Sequence, residues 1–245
     1  MNIEKYKYLK DGKYLIILDE KEYIMYEDVI IKNNILSKKK ITQEELESYI
    51  KDNRYYEAYY KALKYINTKL RTTKEINKYL EKNNYEEKEI INVILKLKED
   101  GYLNDKIYTD SYIRQQINLK NIGPLKIKKE LLNLEIEEEI IDEYLKQYTK
   151  EEQYQKIEKM IKKEISLNKT KSKLMLKQKI LINLTEKGFY RDDILEILEK
   201  ETINDNEIYQ REYEKIKAKL KEKYTGKELE YKIKEKLYQK GFKNI

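Results

Sequence analysis

One apolar pattern returns four times in this chain at a nearly constant interval, and it leaves few folds open. The pattern is Ile, three residues, Leu, four residues, then Tyr, Ile or Phe. It occurs as Ile76, Leu80, Tyr85; as Ile127, Leu131, Ile136; as Ile180, Leu184, Phe189; and as Ile233, Leu237, Phe242. The successive isoleucines lie 51, 53 and 53 residues apart. A fixed period of this length marks a repeat architecture whose units bury apolar surface by stacking on their neighbours. Before the last apolar residue stand Asn84, Glu135, Gly188 and Gly241. Three of these four tolerate the left-handed backbone that ends a helix, so the pattern reads as a helix end, a tight turn and an apolar residue folding back.

Around each pattern the apolar spacing is helical. A longer helix precedes it, with Tyr56, Tyr59, Leu63, Ile66 and Leu70 in the first repeat. Tyr154, Ile157, Ile161 and Ile165 mark the third, and Tyr209, Tyr213, Ile216 and Leu220 the fourth. Steps of three and four residues place such side chains on one stripe. A further helix follows, marked by Ile90 and Ile94, Ile141 and Leu145, and Ile194 and Leu198. The unit is therefore a three-helix module, and the fourth copy reaches Ile245 where its third helix is expected to begin. Thr72 and Thr73 are expected to cap the second helix of the first repeat, and Pro124, the sole proline, opens the second helix of the next one.

The first fifty residues differ. Residues 14–18 and 23–26 are short apolar, β-branched or aromatic runs flanking the polar residues 19–22, and Asp11-Gly12 marks an earlier turn that pairs residues 3–8 with a strand at 13–18. They predict a three-stranded meander. Two short helices are expected next, near 27–36 and 42–52, the second opened by a capping box of Thr42 and Glu45. The expected fold is mostly α: tandem three-helix repeats stacked in an elongated curved array, with a small β-meander-containing amino-terminal head. The expected divisions are 1–53 for the head, then 54–103, 104–149, 150–203 and an incomplete 204–245.

Composition narrows the chemistry. The chain has neither cysteine nor histidine, which removes thiolate chemistry, disulfides, the usual zinc ligands and the ordinary near-neutral acid–base group. There is no glycine-rich phosphate loop and no nucleophile paired with a base, so no enzyme activity and no cofactor are expected. Glu137, Glu138 and Glu139 open a helix, where carboxylates meet the helix dipole. A mean hydropathy of −0.94 and the absence of a long apolar run imply a cytoplasmic protein without a membrane span. The net charge of +7 is uneven: residues 1–149 balance to zero, and 156–187 hold ten lysines against Glu158, Glu164 and Glu186. Such a surplus fits an anionic partner, the plain alternative being a solvated helix face.

Specific motifs add a resemblance. Residues Ala62-Leu63-Lys64-Tyr65-Ile66 and Lys69-Leu70-Arg71-Thr72-Thr73-Lys74-Glu75-Ile76 resemble the opening of the first repeat of the RecX family. Leu97-Lys98-Glu99-Asp100-Gly101-Tyr102-Leu103-Asn104-Asp105 resembles that family's junction between repeats. Tyr108-Thr109-Asp110-Ser111-Tyr112-Ile113-Arg114 and Gly123-Pro124-Leu125-Lys126-Ile127-Lys128-Lys129-Glu130-Leu131 resemble its second repeat. The head is similar to the amino-terminal extension of longer members from Gram-positive bacteria. Lys69 stands where the family has Arg, and Asn104 where it has Asp. The resemblance implies a monomeric negative modulator that lies in the groove of the RecA filament. It would inhibit strand exchange, ATP hydrolysis and coprotease activity, with single-stranded DNA as an auxiliary contact. The alternatives are a sequence-independent nucleic-acid-binding helical protein acting without RecA, and a scaffold for an unrelated acidic partner.

The residues expected to face the partner or DNA lie in three groups. Lys69, Arg71, Lys74 and Arg114 belong to the resembling stretch. Arginine is rare in this lysine-rich chain, so Arg71 and Arg114 suggest fork contacts with carboxylate or phosphate, against salt bridges to Glu75 and Asp110. Lys126, Lys128 and Lys129 follow Gly123-Pro124, at a helix amino terminus that would attract anions. Lys162, Lys163, Lys169, Lys171 and Lys173 form the core of the basic run. Tyr56, Tyr59, Tyr60 and Tyr65 could stack on bases, but at helical spacing they read better as packing residues.

Overall fold

The computed structural model describes residues 1–242. Two compact units divide it, Met1–Tyr108 and the chain from Thr109 onward. The first begins with an antiparallel sheet in the order β1 (Ile3–Leu9), β2 (Lys13–Leu18), β3 (Lys21–Tyr26). Asp19 and Glu20 both take positive φ, so the second hairpin turns in two residues instead of the four-residue polar segment expected. Ile16 and Leu18 of β2 and Met25 of β3 face the head core, while residues 4–8 of β1 are exposed on both faces.

The expected helix at 27–36 divides into α1 (Glu27–Lys32) and a 3-10 turn at Ile35–Ser37, because Asn34 between them is left-handed. The second short helix and the first repeat's long helix are one continuous element, α2 (Gln43–Ile66). The expected capping box of Thr42 and Glu45 opens it. Nothing between 43 and 66 breaks a helix, since the segment holds no Gly or Pro. Its two ends belong to different cores: Leu46 and Tyr49 pack with the sheet, Ala58 and Ala62 with the first repeat. Nine residues separate Tyr49 from Ala58, a rotation of about 180° at 3.6 residues per turn, so the buried faces are opposite. Asn53, midway, accepts from the Tyr26 amide at 2.8 Å and donates to the Ile24 carbonyl at 3.0 Å, holding β3 to the helix.

Three-helix sets follow. The first completes itself with α3 (Thr73–Lys82) and α4 (Glu87–Glu99), around Ile76, Leu80, Tyr85, Ile90 and Leu97. Next come α5 (Asp105–Leu119), α6 (Pro124–Leu132) and α7 (Glu138–Leu145), then α8 (Lys150–Ser166), α9 (Lys173–Glu186) and α10 (Arg191–Lys200). The last described pair is α11 (Asn206–Leu220) and α12 (Gly226–Gln239). The expected start of a further helix falls on 243–245, outside the described residues. Among the described residues no helix is long and apolar enough to cross a membrane. Leu70, expected on the first stripe, lies exposed beyond the end of α2, and the alanines take the centre of that face.

The repeated pattern is a helix-ending turn in all four places. Tyr85, Ile136, Phe189 and Phe242 donate their amides to Leu80, Leu131, Leu184 and Leu237 respectively, at 3.1–3.3 Å. The residue before each donates to the carbonyl after each leucine, as Gly188 does to Thr185 at 2.9 Å. These paired bonds make the Schellman turn, with Leu at C3 and the apolar residue, aromatic in three turns and Ile136 in the other, at C″. Positive φ occurs at Asn84 (63°), Gly188 (86°) and Gly241 (82°), and also at Glu135 (59°). A left-handed Glu costs roughly 1–2 kcal/mol, and burial of Ile136 offsets it.

Within the second unit these turns dock on the preceding set. Gly123 donates to the Lys187 carbonyl at 2.8 Å, and Leu125 to the Gly188 carbonyl at 3.0 Å. A Cβ on Gly188 would stand 2.4 Å from the Lys126 backbone nitrogen, and one on Gly123 2.2 Å from the Gly188 oxygen. The Gly241 turn meets α9 in the same way, with Ser172 Oγ donating to the Lys240 carbonyl at 2.9 Å. Gly188→Ala should therefore destabilise by about 2–5 kcal/mol, adding backbone collision to conformational strain. Gly101→Ala should lose only about 1–2 kcal/mol, since its φ is also positive but its surroundings are open. Urea titrations of the two variants compare them directly, and equal losses would remove the docking from the account. Ile127, fully buried under the same joint, should cost about 2–4 kcal/mol on truncation to Ala in the same titration.

Candidate functional site

The basic residues divide by whether the fold already gives them a counter-ion. Arg71 sits between α2 and α3 with its guanidinium 3.6 Å from the Tyr65 ring centroid, and Tyr65 stacks in turn on Tyr79 at 4.3 Å. Its terminal nitrogens reach Glu75 and Thr68, both at 3.2 Å, and only 11% of the side chain is exposed. Glu75 also closes the capping box with Thr72. Lys69 approaches the same Glu75 at 3.6 Å, and Lys74 is half-buried. Arg114 is exposed on α5 but paired with Asp110, one turn earlier, at 3.0 Å. Both arginines thus make the intramolecular salt bridges posed as alternatives to partner contact.

The amino terminus of α6 is not an open anion site. Pro124 has no N–H, and the Gly123 and Leu125 amides are taken by the Lys187 and Gly188 carbonyls. Lys128 bridges Glu138 and Asp142 at 2.7 and 2.6 Å, and hydrogen bonds to Asp142 and then Glu138 raise its pKa. Lys126 and Lys129 point to solvent, and among the described residues no carboxylate lies within ion-pair distance of either.

The lysine-rich segment is equally mixed. Lys156 is structural: its ammonium donates to the Ile117 carbonyl and lies 5.2 Å from the Tyr148 ring, and burial lowers its pKa. Lys162 is tied to Glu158 and, at 3.8 Å, to Glu201. Lys179, which helps make the run basic, pairs with Glu164 at 2.7 Å. Lys163, Lys169, Lys171 and Lys173 have no ion pair among the described residues. Lys169 and Lys171 lie on the loop from α8 to α9, which is shaped by Asn168 and by Arg211 donating to the Lys169 carbonyl.

Packing also brings distant lysines together. Lys126 of α6, Lys163 of α8 and Lys187, just beyond the end of α9, line one cleft. Sequence spacing does not single out Lys187; the Gly188 turn docking on α6 places it there. A second signal in the sequence is the dipeptide Asn-Asp at 104–105 and again at 204–205. Asp105 accepts from the Thr73 amide at 2.9 Å, and Asp205 from the Lys173 amide at 2.6 Å. Each aspartate caps the middle helix of the preceding set, so these carboxylates are spoken for. The tyrosines read as packing residues do make internal contacts: Tyr59 bonds Asp100, while Tyr60 bonds Asp28 and stacks on Tyr26.

The burial of Arg71 has a measurable consequence. Arg71→Ala should lower stability by about 1–3 kcal/mol through lost stacking and an uncompensated Glu75, while Arg114→Ala, at an exposed pair, should change it little. Thermal melts of both variants test this, and an unaffected Arg71→Ala would return the guanidinium to the pool of free contacts.

Comparison with known proteins follows the same helices. The first three-helix domain of RecX matches residues 58–97 and the second matches 104–145. The regulatory protein RecX of Bacillus cytotoxicus is 34% identical over 233 residues, covering 91% of this chain and 84% of the relative. The regulatory protein RecX of Bacillus cereus is 33% identical with the same coverage. A crystal structure of regulatory protein RecX superposes with a TM-score of 0.74 at 27% identity, covering 82% of this chain and 99% of the other. RecX from Lactobacillus salivarius gives a TM-score of 0.56 at 32% identity, covering 60% and 95%. With two three-helix domains matched and nine-tenths of its length aligned at 34% identity, the chain belongs to the RecX family of regulatory proteins.

Proposed function

We propose that this protein is a negative modulator of RecA. It binds the RecA–single-stranded DNA filament as a monomer and inhibits strand exchange, ATP hydrolysis and coprotease activity. The observation that carries the reading is the alignment to regulatory RecX proteins along 91% of the chain. RecX proteins regulate RecA, and a repeating helical surface suits a repeating partner. The role is one of binding, not catalysis. The contacts fall to the cations without an internal counter-ion: Lys126, Lys129, Lys163, Lys169, Lys171 and Lys173. Lys69, Arg71, Lys74, Arg114, Lys128 and Lys162 act chiefly through the surfaces they shape, because a cation already paired must break one interaction to make another.

RecA ATP hydrolysis on single-stranded DNA, measured with this protein added, tests the reading, and no inhibition would reject it. Replacing Lys163, Lys169, Lys171 and Lys173 together by Ala should weaken inhibition with the fold intact, whereas Lys162→Ala alone should leave it nearly unchanged. If the four lysines meet phosphates, each lost contact should lower the salt slope of DNA binding by about 0.7. If they meet acidic RecA side chains, the slope on bare DNA should stay the same and the loss of inhibition should shrink as salt rises. Anisotropy of a labelled oligonucleotide with and without RecA separates this role from that of a nucleic-acid-binding protein acting alone.

A further inference from the structure

We infer that the outward face of α12 is a stacking surface for single-stranded DNA, separate from the lysine-rich α8–α9 segment. The helix buries Ile233 and Leu237 against Ile208 and Ile216 of α11, with Leu229 partly covered beside them. On the other side, Lys227, Tyr231, Lys234 and Tyr238 follow one another at steps of four, three and four residues. Those steps keep all four within about 60° of one another around the axis. Tyr231 is 66% and Tyr238 63% exposed, the highest values of any tyrosine among the described residues. In a chain with 25 tyrosines most are packed, and the two most exposed share one stripe with alternating lysines.

Neither ring belongs to the core, and the one ring contact on this stripe is the Lys232 ammonium, 5.6 Å from the Tyr231 centroid, which adds a further cation beside it. Seven residues of helix set them about 10 Å apart, well beyond the roughly 3.4 Å rise of a stacked strand, so each can take its own base. Lys227 and Lys234 have no ion pair among the described residues and stand beside the rings, where phosphates would run. Of the neighbouring carboxylates, Glu235 pairs with Lys232 at 2.9 Å, and Glu230 is held toward α11 by accepting from the Tyr213 hydroxyl at 3.0 Å. Glu228 lies about 100° round the helix from Lys227. Aromatic faces interleaved with cations bind single strands with little sequence preference, since every base offers a π face. The choice of DNA over RNA rests on the filament reading above; the stacking chemistry does not.

The test uses the full chain without RecA and a fluorescein-labelled oligothymidylate followed by anisotropy. Y231A/Y238A should weaken binding at least about tenfold with its salt slope unchanged, and Y231F/Y238F should bind like the parent chain. K227A/K234A should lower the salt slope by about 1.4. Circular dichroism melts should match throughout, as expected for solvent-facing positions. Should the alanine pair melt early, Y231L/Y238L removes the aromatic rings while keeping apolar bulk. No binding by the parent chain, or binding by the ring-less variants within about twofold of it, overturns the proposal. Tighter binding to oligouridylate assigns the face to RNA and overturns it too. So does a loss of RecA inhibition with oligothymidylate binding intact, which would assign the face to a protein. Because RecA is absent from the binding assay, failure of the filament reading leaves this readout standing.

Discussion

Two backbone hydrogen bonds, from Gly123 to Lys187 and from Leu125 to Gly188, hold the second unit's helix sets in register. They form only because a helix end has been turned outward by a left-handed residue, which leaves its carbonyls free to accept from the next surface. They also require the two backbones to touch, which no side chain at Gly123 or Gly188 would allow. The same device recurs where Ser172 donates to the Lys240 carbonyl. Apolar burial under these joints, of Ile127, Leu131, Ile180, Phe189 and Phe242, supplies the larger share of the free energy, while the hydrogen bonds set the position.

The joint has a direct effect on charge. By occupying the amides at the start of α6 it closes what would otherwise be an anion site, and by seating the Gly188 turn it brings Lys187 alongside Lys126 and Lys163. The basic surplus of the second half is therefore not a uniform stripe. Lys156 is spent on the Ile117 carbonyl and the Tyr148 ring, and Lys162 and Lys179 on carboxylates, while Lys163, Lys169, Lys171 and Lys173 have no ion pair among the described residues. A polyanion releases counter-ions from its own surface when it meets such free cations, whereas an already paired lysine offers it little.

In the first unit the unifying element is α2. The head and the first helix set do not meet across a linker; they share one rod with a core on each side. This explains the apparent break near residue 53, where the apolar stripe shifts by half a turn and reads as two helices. Asn53 sits at that phase change and spends both ends of its amide on β3. The pattern of the sequence reports which residues are buried, but not whether a change of face is a change of helix.

The sequence by itself determined the repeat, the helix-ending turns, the meander and the family, because these rest on local spacing, capping and backbone conformation. Leu80 and Tyr85 lie five residues apart since a Schellman turn demands it, and Thr42 with Glu45 closes a box within four residues. Even Glu135 was legible by position, though not by residue type, because burial of Ile136 overrides the preference of its neighbour. Only the tertiary structure decided which cations are free. Arg71 on Tyr65 and Lys128 between Glu138 and Asp142 depend on how the chain turns from one helix to the next, and Lys187 beside Lys126 on two segments far apart in the chain. A counter-ion acts through space with a steep dependence on separation and burial, and a linear sequence carries neither.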